Sequence, residues 1–307
     1  MNIRSLIVNM LGQVIRYKKT KNPLIYMTLL VKNEEDVLEE NIIFHKKMGI
    51  DGFIITDNGS TDKTADIIKK YIEKGWIKEA IYDESEGYKQ VIYVDQMIRI
   101  AKEKYHADWV INCDADELWY CKQGNYKKIL SKSFHNVLKC SIYNMLPTDK
   151  DNFWKSEWRV VKSVDSNKYD LPKFNLYTQQ IEKVLHRTSG YKIISMGNHN
   201  VKMRLKSIGY TSNIIIYHYN IRSKEHFAEK MIGGGKEISK TSDNNIGEHW
   251  KYFFEMSKRA DFDIDKIFDK FIGNEYFSVF KERKVIVKDR TILNFFNNLY
   301  KGKRKYA

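Results

Sequence analysis

Four short apolar runs, each closed by a polar tip and separated by segments of helical length, constrain this chain more than any other feature. "LIYMTLLVKN" (24–33), "DGFIITDN" (51–58), "IKEAIYD" (77–83) and "ADWVINCDADE" (107–117) have the apolar, β-prone composition of buried strands. Between them, 34–49, 59–75 and 88–105 carry apolar residues at helical spacing. The first of these opens with acids, continues with lysines and stops at Gly49, as helix-end electrostatics predicts. The order β-α-β-α-β-α-β predicts an α/β fold with a doubly wound, mostly parallel sheet and right-handed crossovers.

In such sheets ligands bind beyond the carboxyl ends of the strands. Those ends carry Lys32-Asn33-Glu34, Asp57-Asn58-Gly59, Asp83-Glu84-Ser85-Glu86 and Asp114-Ala115-Asp116-Glu117. The last cluster sets three carboxylates in four positions after an apolar run, so a cation must compensate them or water must reach them. Alternation along an extended segment would set Asp114 and Asp116 on one side. Such a pair suits a hard divalent cation, Mn²⁺ or Mg²⁺, which keeps positions open for water and phosphate oxygens. A diphosphate gripped through that ion would leave with its charge stabilised.

Beyond residue 120 the pattern loosens. Strands are expected at 136–146, 181–188 and 213–220, an aromatic excursion with Trp154 and Trp158 at 147–180, and helices over 224–280 broken at Gly233-Gly234-Gly235. The glycine triplet is followed by Lys236-Glu237, where a phosphate loop needs Ser or Thr, so that reading fails. The formal net charge of +14 sits mostly at the ends, +5 in residues 1–22 and +7 in 281–307. A nucleic-acid enzyme more often spreads charge along a groove in its core, so no nucleic-acid partner is expected. Ile3, Leu6, Ile7, Met10, Leu11, Val14 and Ile15 recur at helical spacing. So do Ile292, Leu293, Phe295, Phe296, Leu299 and Tyr300. Amphipathic helices are therefore expected at both termini, either lying on an anionic membrane surface or docking on the body with a solvated basic face. Three cysteines without CxxC spacing and no signal peptide read as reduced thiols in a cytosol, which places the chain in the cytoplasm, peripheral at the inner face of the cell membrane.

"VKNEED", "TDNGSTDKT" and "INCDADELW", followed by Gly197-Asn198-His199 and by His218-Tyr219-Asn220-Ile221-Arg222-Ser223, together resemble bacterial family 2-like glycosyltransferases with the GT-A fold. The resemblance covers about residues 24 to 235. After the basic amphipathic helix read from spacing and charge (1–22), it implies a GT-A catalytic domain (23–235), with a nucleotide-sugar half at about 23–120 and an acceptor half at about 121–235. A helical region (236–307) ending in a basic amphipathic segment follows. It further implies that Asn33 and Glu34 border the nucleotide, that Asp57 meets the base, and that Asp114 and Asp116 hold the metal, with Asp114 nearer the ribose. His218 would complete the metal shell. Lys183, Arg187, Arg222 and Lys224 would meet diphosphate oxygens. Asn33 and Glu34 also fit helix-capping positions, Asp57 a turn, and His199 and His218 buried hydrogen-bonded histidines. Trp154 and Trp158 fit a core as well as a sugar platform.

The resulting expectation is a metal-dependent enzyme that moves a sugar from a nucleoside-diphosphate donor to a glycan or lipid-linked glycan acceptor in cell-surface polysaccharide or lipopolysaccharide synthesis. By resemblance it would invert the anomeric carbon, which requires a base. Asp149, Asp151 and Glu157 are the candidates. Glu157, between Trp154 and Trp158, is favoured if burial raises its pKa. Two other classes compete. A metal-dependent nucleotidyltransferase would want a Gly-rich, Arg-bearing loop after the first strand, and "LLVKNEEDV" has none. A non-catalytic membrane-binding module would not need four acidic strand ends.

Overall fold

The computed structural model describes residues 16–84, 89–148, 150–239 and 247–301. The chain divides into two compact units, one of residues 1–142 and 181–217, the other of 143–180 and 218–307. The boundaries read from the sequence, near 22, 120 and 235, do not coincide with this division.

The first unit begins with β1 (Ile25–Val31), α1 (Leu38–Lys47), β2 (Gly52–Asp57), α2 (Thr64–Glu73), β3 (Ile77–Tyr82), α3 (Gln90–Glu103) and β4 (Trp109–Asp114). Helix α1 starts later than the spacing predicts because 35–37 form a turn, with Val37 N–H donating to the Glu34 carbonyl at 3.1 Å. Glu39 and Glu40 in the first turn of α1, and Lys46 and Lys47 in its last, match the helix dipole. β5 (Glu117–Cys121), β6 (Val137–Asn144), β8 (Lys183–Arg187) and β11 (Ile208–His218) extend the sheet to eight strands, in the order β3-β2-β1-β4-β8-β6-β11-β5, while β9 (Tyr191–Ile194) and β10 (Val201–Met203) form a separate antiparallel pair. The last residues of β6 and β11 belong to the second unit. β3, β2, β1 and β4 run parallel, and β8 then pairs antiparallel with both β4 and β6. Val94, Met97, Ile98 and Ala101 of α3 pack in one buried cluster with Tyr26, Ile54, Val110, Val137 and Val184. Burial of each large apolar side chain contributes about 1.5–3 kcal/mol.

Two expectations about this unit need correction. The fourth strand ends at Asp114. Ala115 and Asp116 form a turn, and β5 begins at Glu117. Strand alternation therefore does not relate Asp114 to Asp116. At the N-terminus, residues 16–20 are not helical and lie on the body. Tyr17 N–H donates to the Phe134 carbonyl at 2.8 Å, the Tyr17 hydroxyl donates to the Leu205 carbonyl at 2.6 Å, and Lys19 Nζ sits 4.3 Å from the Phe134 ring centre. The apolar stripe from Ile3 to Ile15 lies outside the described residues.

The second unit contains the antiparallel pair β7 (Trp158–Val160) and β12 (Ile286–Lys288) and an aromatic core of Tyr177, Phe227, Phe253, Phe271 and Phe280. The helical run over 224–238 does not break at the glycines. Lys224–Phe227 leads through a π-helical stretch, Ala228–Gly233, into Gly234–Ile238. Gly235 serves packing there, since a Cβ on it would meet the Trp250 carbonyl and Phe254. The C-terminal helix Thr291–Lys301 turns its apolar stripe inward. Ile292 and Phe296 are buried, and the Phe296 ring lies 5.1 Å from that of Trp154, itself buried. Trp154 is thus a core residue, and this helix docks rather than offering a bare apolar face. Among the described residues no helix is long and apolar enough to cross a membrane. The three cysteines, Cys113, Cys121 and Cys140, are free and buried.

Candidate active site

The carboxyl edge of the parallel strands gathers the polar tips. In the ladder Val31 pairs with Asp57 and Leu30 with Asp114, so the two acids flank β1 on strands β2 and β4. Asn33, in the left-handed region at φ 54°, ties two loops together. Its N–H donates to Ser60 Oγ at 3.0 Å, and its Oδ1 accepts the Thr61 N–H at 2.8 Å. Glu34 N–H donates to Thr64 Oγ1 at 2.8 Å. Asp57 is buried, and its Oδ1 accepts the N–H (2.9 Å) and the hydroxyl (2.6 Å) of Ser60. The turn considered for Asp57 is present, whereas α1 and α2 carry no side-chain cap, so Asn33 and Glu34 tie loops together at this edge and do not cap a helix. Beyond β3, the Tyr93 hydroxyl donates to Asp83 Oδ2 at 2.9 Å. Ser85 and Glu86 lie outside the described residues.

The acid turn between β4 and β5 is fixed from below by α1. Asn41 Nδ2 donates to the carbonyls of Ala115 and Glu117, both at 2.9 Å. Trp119 N–H donates to His45 Nε2 at 3.0 Å, and the His45 Nδ1–H points at the Asn41 carbonyl, 2.9 Å away. Burial holds His45 neutral, with its pKa lowered to about 3. A helix interior gains little from Asn, so a fully buried Asn on α1 is explained by the backbone it satisfies.

The cation that compensates two of the three carboxylates is a lysine. Lys183 Nζ lies 2.5 Å from Asp114 Oδ2 and 2.5 Å from Glu117 Oε1. Its side chain is 5% exposed and that of Glu117 is 0% exposed, while Asp114 remains 37% exposed. The other Glu117 oxygen accepts Trp119 Nε1–H at 3.1 Å and Asp114 N–H at 3.3 Å. Burial, joined by the Asp114 and Asp116 charges and opposed by Lys183, pushes the Glu117 carboxyl up to about 7. Burial lowers Lys183, but its two carboxylate partners outweigh it and raise the ammonium above the ordinary lysine range. Asp116 is 5% exposed.

β8 runs antiparallel to β4, so its two basic ends part. Lys183 reaches the acid turn, whereas Arg187 pairs with Trp109 at the start of β4. Arg187 there donates to Thr20 Oγ1 and to the Ser133 carbonyl, each at 3.2 Å. Four residues of extended chain separate the two ends by roughly 13 Å, which removes Arg187 from the edge. His199 Nδ1 lies 3.2 Å from the Glu182 carbonyl; burial first, then the Lys183 charge, lower its pKa. A Cβ on Gly197, at φ 68°, would stand 2.7 Å from His199 Cδ2, so glycine is required beside that ring.

The remaining expected site residues belong to the second unit. His218 Nδ1 lies 2.9 Å from Asn144 Oδ1. Arg222 is buried, with its N–H directed at His226 Nδ1 at 3.4 Å, and Lys224 is ion-paired with Asp265. Glu157 departs from expectation. Arg290 Nε is 2.5 Å from its Oε1, and Lys288 and Lys150 lie 3.6 and 4.0 Å from Oε2. Desolvation raises its pKa, but the Arg290 hydrogen bond and the three cationic neighbours outweigh it, so the carboxyl falls below the ordinary glutamate range. Asp151 is 91% exposed and pairs with Lys155 at 3.2 Å. Asp149 lies outside the described residues. Glu117 stood in the acid cluster of the sequence without a role of its own, and Asn41 and His45 were not singled out, though an Asn and a His four apart on one helix face were a usable sign.

Among the described residues no three His, Cys, Asp or Glu side chains converge as a ready-made metal cage. The donor chemistry still fits a hard cation of the Mg²⁺ or Mn²⁺ type. Such ions are commonly held by one or two carboxylates plus substrate phosphates and water, and the turn offers carboxylate oxygens in excess of its one ammonium.

The family model for glycosyltransferase family 92 matches residues 27–274. No curated protein sequence matches the chain. Among solved structures, it is similar to residues 1–349 of TarS from S. aureus, at 15% identity, 83% of this chain, 72% of that chain and a TM-score of 0.40. It is also similar to the mannosyltransferase PcManGT from Pyrobaculum calidifontis in complex with GDP-Man and Mn²⁺, at 11% identity, 90% of this chain, 80% of that chain and a TM-score of 0.42. A third is glucosyl-3-phosphoglycerate synthase from Mycobacterium tuberculosis with Mn²⁺, UDP-glucose and phosphoglyceric acid, at 15% identity, 73% of this chain, 83% of that chain and a TM-score of 0.36.

Proposed function

The chain belongs to glycosyltransferase family 92, and from that premise we propose that it moves a sugar from a nucleoside-diphosphate donor to a glycan acceptor in cell-surface polysaccharide or lipopolysaccharide synthesis, with Mn²⁺ or Mg²⁺ at the acid turn. The family is 92, where the sequence resemblance pointed to family 2-like enzymes. Membership in a glycosyltransferase family sets aside the nucleotidyltransferase and the non-catalytic membrane module.

One observation carries the donor site: Asp57 and Asp114 flank β1 at the carboxyl edge of the parallel strands, beside the turn that bears Asp116. In this reading the loop held by Asn33 and Ser60 and the Asp57 carboxylate border the base and ribose. Asp114, with Oδ2 on Lys183, presents its exposed side to the nucleotide, and Asp116 holds the cation. A divalent cation held by Asp116 would supply the positive charge that stabilises a departing diphosphate. The residues of the chain orient the donor and hold the acid turn at one geometry. That fixed geometry lowers the reorganisation required during transfer. His218 and Arg222, which the resemblance assigns to the metal and the diphosphate, belong to the second unit. Inversion, which the resemblance implies, needs a base, and Glu157 is poorly suited because its cationic neighbours lower its basicity. At the C-terminal end the membrane reading rests on charge, since the apolar residues Ile292 and Phe296 are buried.

A thermal-shift screen of UDP-, GDP- and other nucleotide sugars, with and without Mn²⁺, tests the donor site. A ligand at 100 times its Kd stabilises the folded chain by about 2.7 kcal/mol. Stabilisation by a sugar nucleotide only in the presence of the metal is expected. No response to any nucleotide, or the same response with and without metal, would remove the proposed site.

A further inference from the structure

The ammonium of Lys183 occupies two of the three carboxylates that the sequence offers to a metal. Its Nζ lies 2.5 Å from Asp114 Oδ2 and 2.5 Å from Glu117 Oε1, with its own side chain 5% exposed. Glu117 is committed at both oxygens, since Oε2 also receives Trp119 Nε1–H and Asp114 N–H. For either carboxylate to turn toward another cation, a buried ammonium would lose a partner, and breaking a buried pair from one side is strongly unfavourable. A divalent ion approaching the same oxygens also meets the repulsion of Lys183 at short range.

We propose that Lys183 is a positioning residue that withholds Asp114 and Glu117 from divalent cations, so that the acid turn never becomes a standing three-carboxylate metal cage. The strand pairing supports this, because β8 places Lys183 at the acid edge while its other end leads away. Combined with the donor site of the preceding section, on which this consequence rests, the arrangement makes the chain take up Mn²⁺ weakly alone and more tightly with a nucleoside diphosphate. The diphosphate brings both oxygen ligands and the negative charge that offsets Lys183.

The test measures Mn²⁺ binding to the full chain, without nucleotide, for the wild type, K183M and K183M/E117Q. The double variant removes one positive and one negative charge together and so keeps the charge balance of the interior. Both variants are expected to bind Mn²⁺ at least tenfold more tightly than the wild type, because Asp114 is released in each. A lysine that merely stabilised the fold would not raise metal affinity. Unchanged or weaker Mn²⁺ affinity in a folded variant overturns the proposal. A measurement on the wild type covers the case in which neither variant folds. The ¹⁵Nζ resonance of the Lys183 ammonium should persist under saturating Mg²⁺; its loss would show that the ion takes the carboxylates from the lysine. If the variants gain Mn²⁺ affinity but UDP and GDP fail to strengthen Mn²⁺ binding to the wild type, the role of Lys183 stands and the donor site falls.

Discussion

The side-chain amide of Asn41 donates to the carbonyl of Ala115 at 2.9 Å, tying helix α1 to an acid turn 74 positions later. The same amide serves the Glu117 carbonyl. Asn41→Ala should leave two buried carbonyls short of a donor, at about 1–3 kcal/mol for each such group. Its effect should appear twice, as a lower denaturation midpoint and as a raised KM for the donor at any temperature where the variant is folded. Loss of stability with an unchanged donor KM would mean that Asn41 holds the fold and not the site.

Asp116→Asn should keep the fold and lose transfer. The substitution preserves shape and removes the charge that the proposed cation requires. A fall in kcat of about 10²-fold or more is expected, the range seen when one group that stabilises transition-state charge is removed. Wild-type turnover in the variant, or a wild type indifferent to chelators, would exclude the metal role.

Glu157→Gln tests the base assignment directly. Its carboxylate faces Arg290, Lys288 and Lys150, which hold it in the charged form as a counter-ion. Turnover within about tenfold of wild type is expected, since loss of a true general base costs on the order of 10²–10⁴. A drop of that size with donor KM intact would reinstate Glu157.

How much of this was legible in the sequence follows from range. The βαβ succession and the acidic strand tips depend on local periodicity, and the four parallel strands lie where the apolar runs placed them. The turn at Ala115-Asp116 was not legible, because "CDADELWY" reads as one extended run until Asn41 and His45 of a distant helix bend it. The pairing of Lys183 with Asp114 spans 69 positions and depends on β8 entering antiparallel, which no periodicity encodes. Burial of Phe296 against Trp154 is similarly long-range, and an amphipathic stripe looks the same whether protein or lipid covers it.

Buried histidines give stability a pH dependence of defined sign. His45 and His186 are buried and neutral. Asn112 Nδ2 donates to His186 Nε2 at 3.2 Å, and burial lowers the two pKa values to about 3 and about 4. Between these values and about 6.5 the unfolded chain binds two protons that the folded chain does not, so their contribution is present above pH 6.5 and lost as pH falls. Glu117, raised to about 7, acts with the opposite sign, since its folded form keeps a proton that the unfolded carboxyl releases. Over pH 5–6 the proton kept by Glu117 offsets part of the loss due to the two histidines, so Glu117→Gln should steepen the fall of stability with decreasing pH. Denaturant unfolding at pH 5, 5.5 and 6 reads this, and identical slopes for wild type and variant would refute the assignment.

The C-terminal helix separates packing from membrane contact. Phe296 is fully buried, its ring 5.1 Å from Trp154, and Ile292 is 1% exposed. The strand just before this helix, β12, pairs with β7, and Arg290 holds Glu157. Removal of 281–307 would therefore strip a strand and a core aromatic from the second unit as well as basic residues from the chain end. Loss of vesicle binding in that truncation would say nothing about lipid. Phe296→Ala distinguishes the two. As a packing residue it should cost about 3–5 kcal/mol, read as a lowered Tm, with no change in salt-sensitive binding to anionic vesicles at temperatures where the protein is folded. Substitution of the exposed Lys301 should leave Tm unchanged, since an isolated surface charge rarely moves stability by more than about 0.5 kcal/mol. If Phe296→Ala instead abolishes vesicle binding and leaves Tm untouched, the helix leaves its place in the second unit to meet lipid, and its burial describes only one of its states.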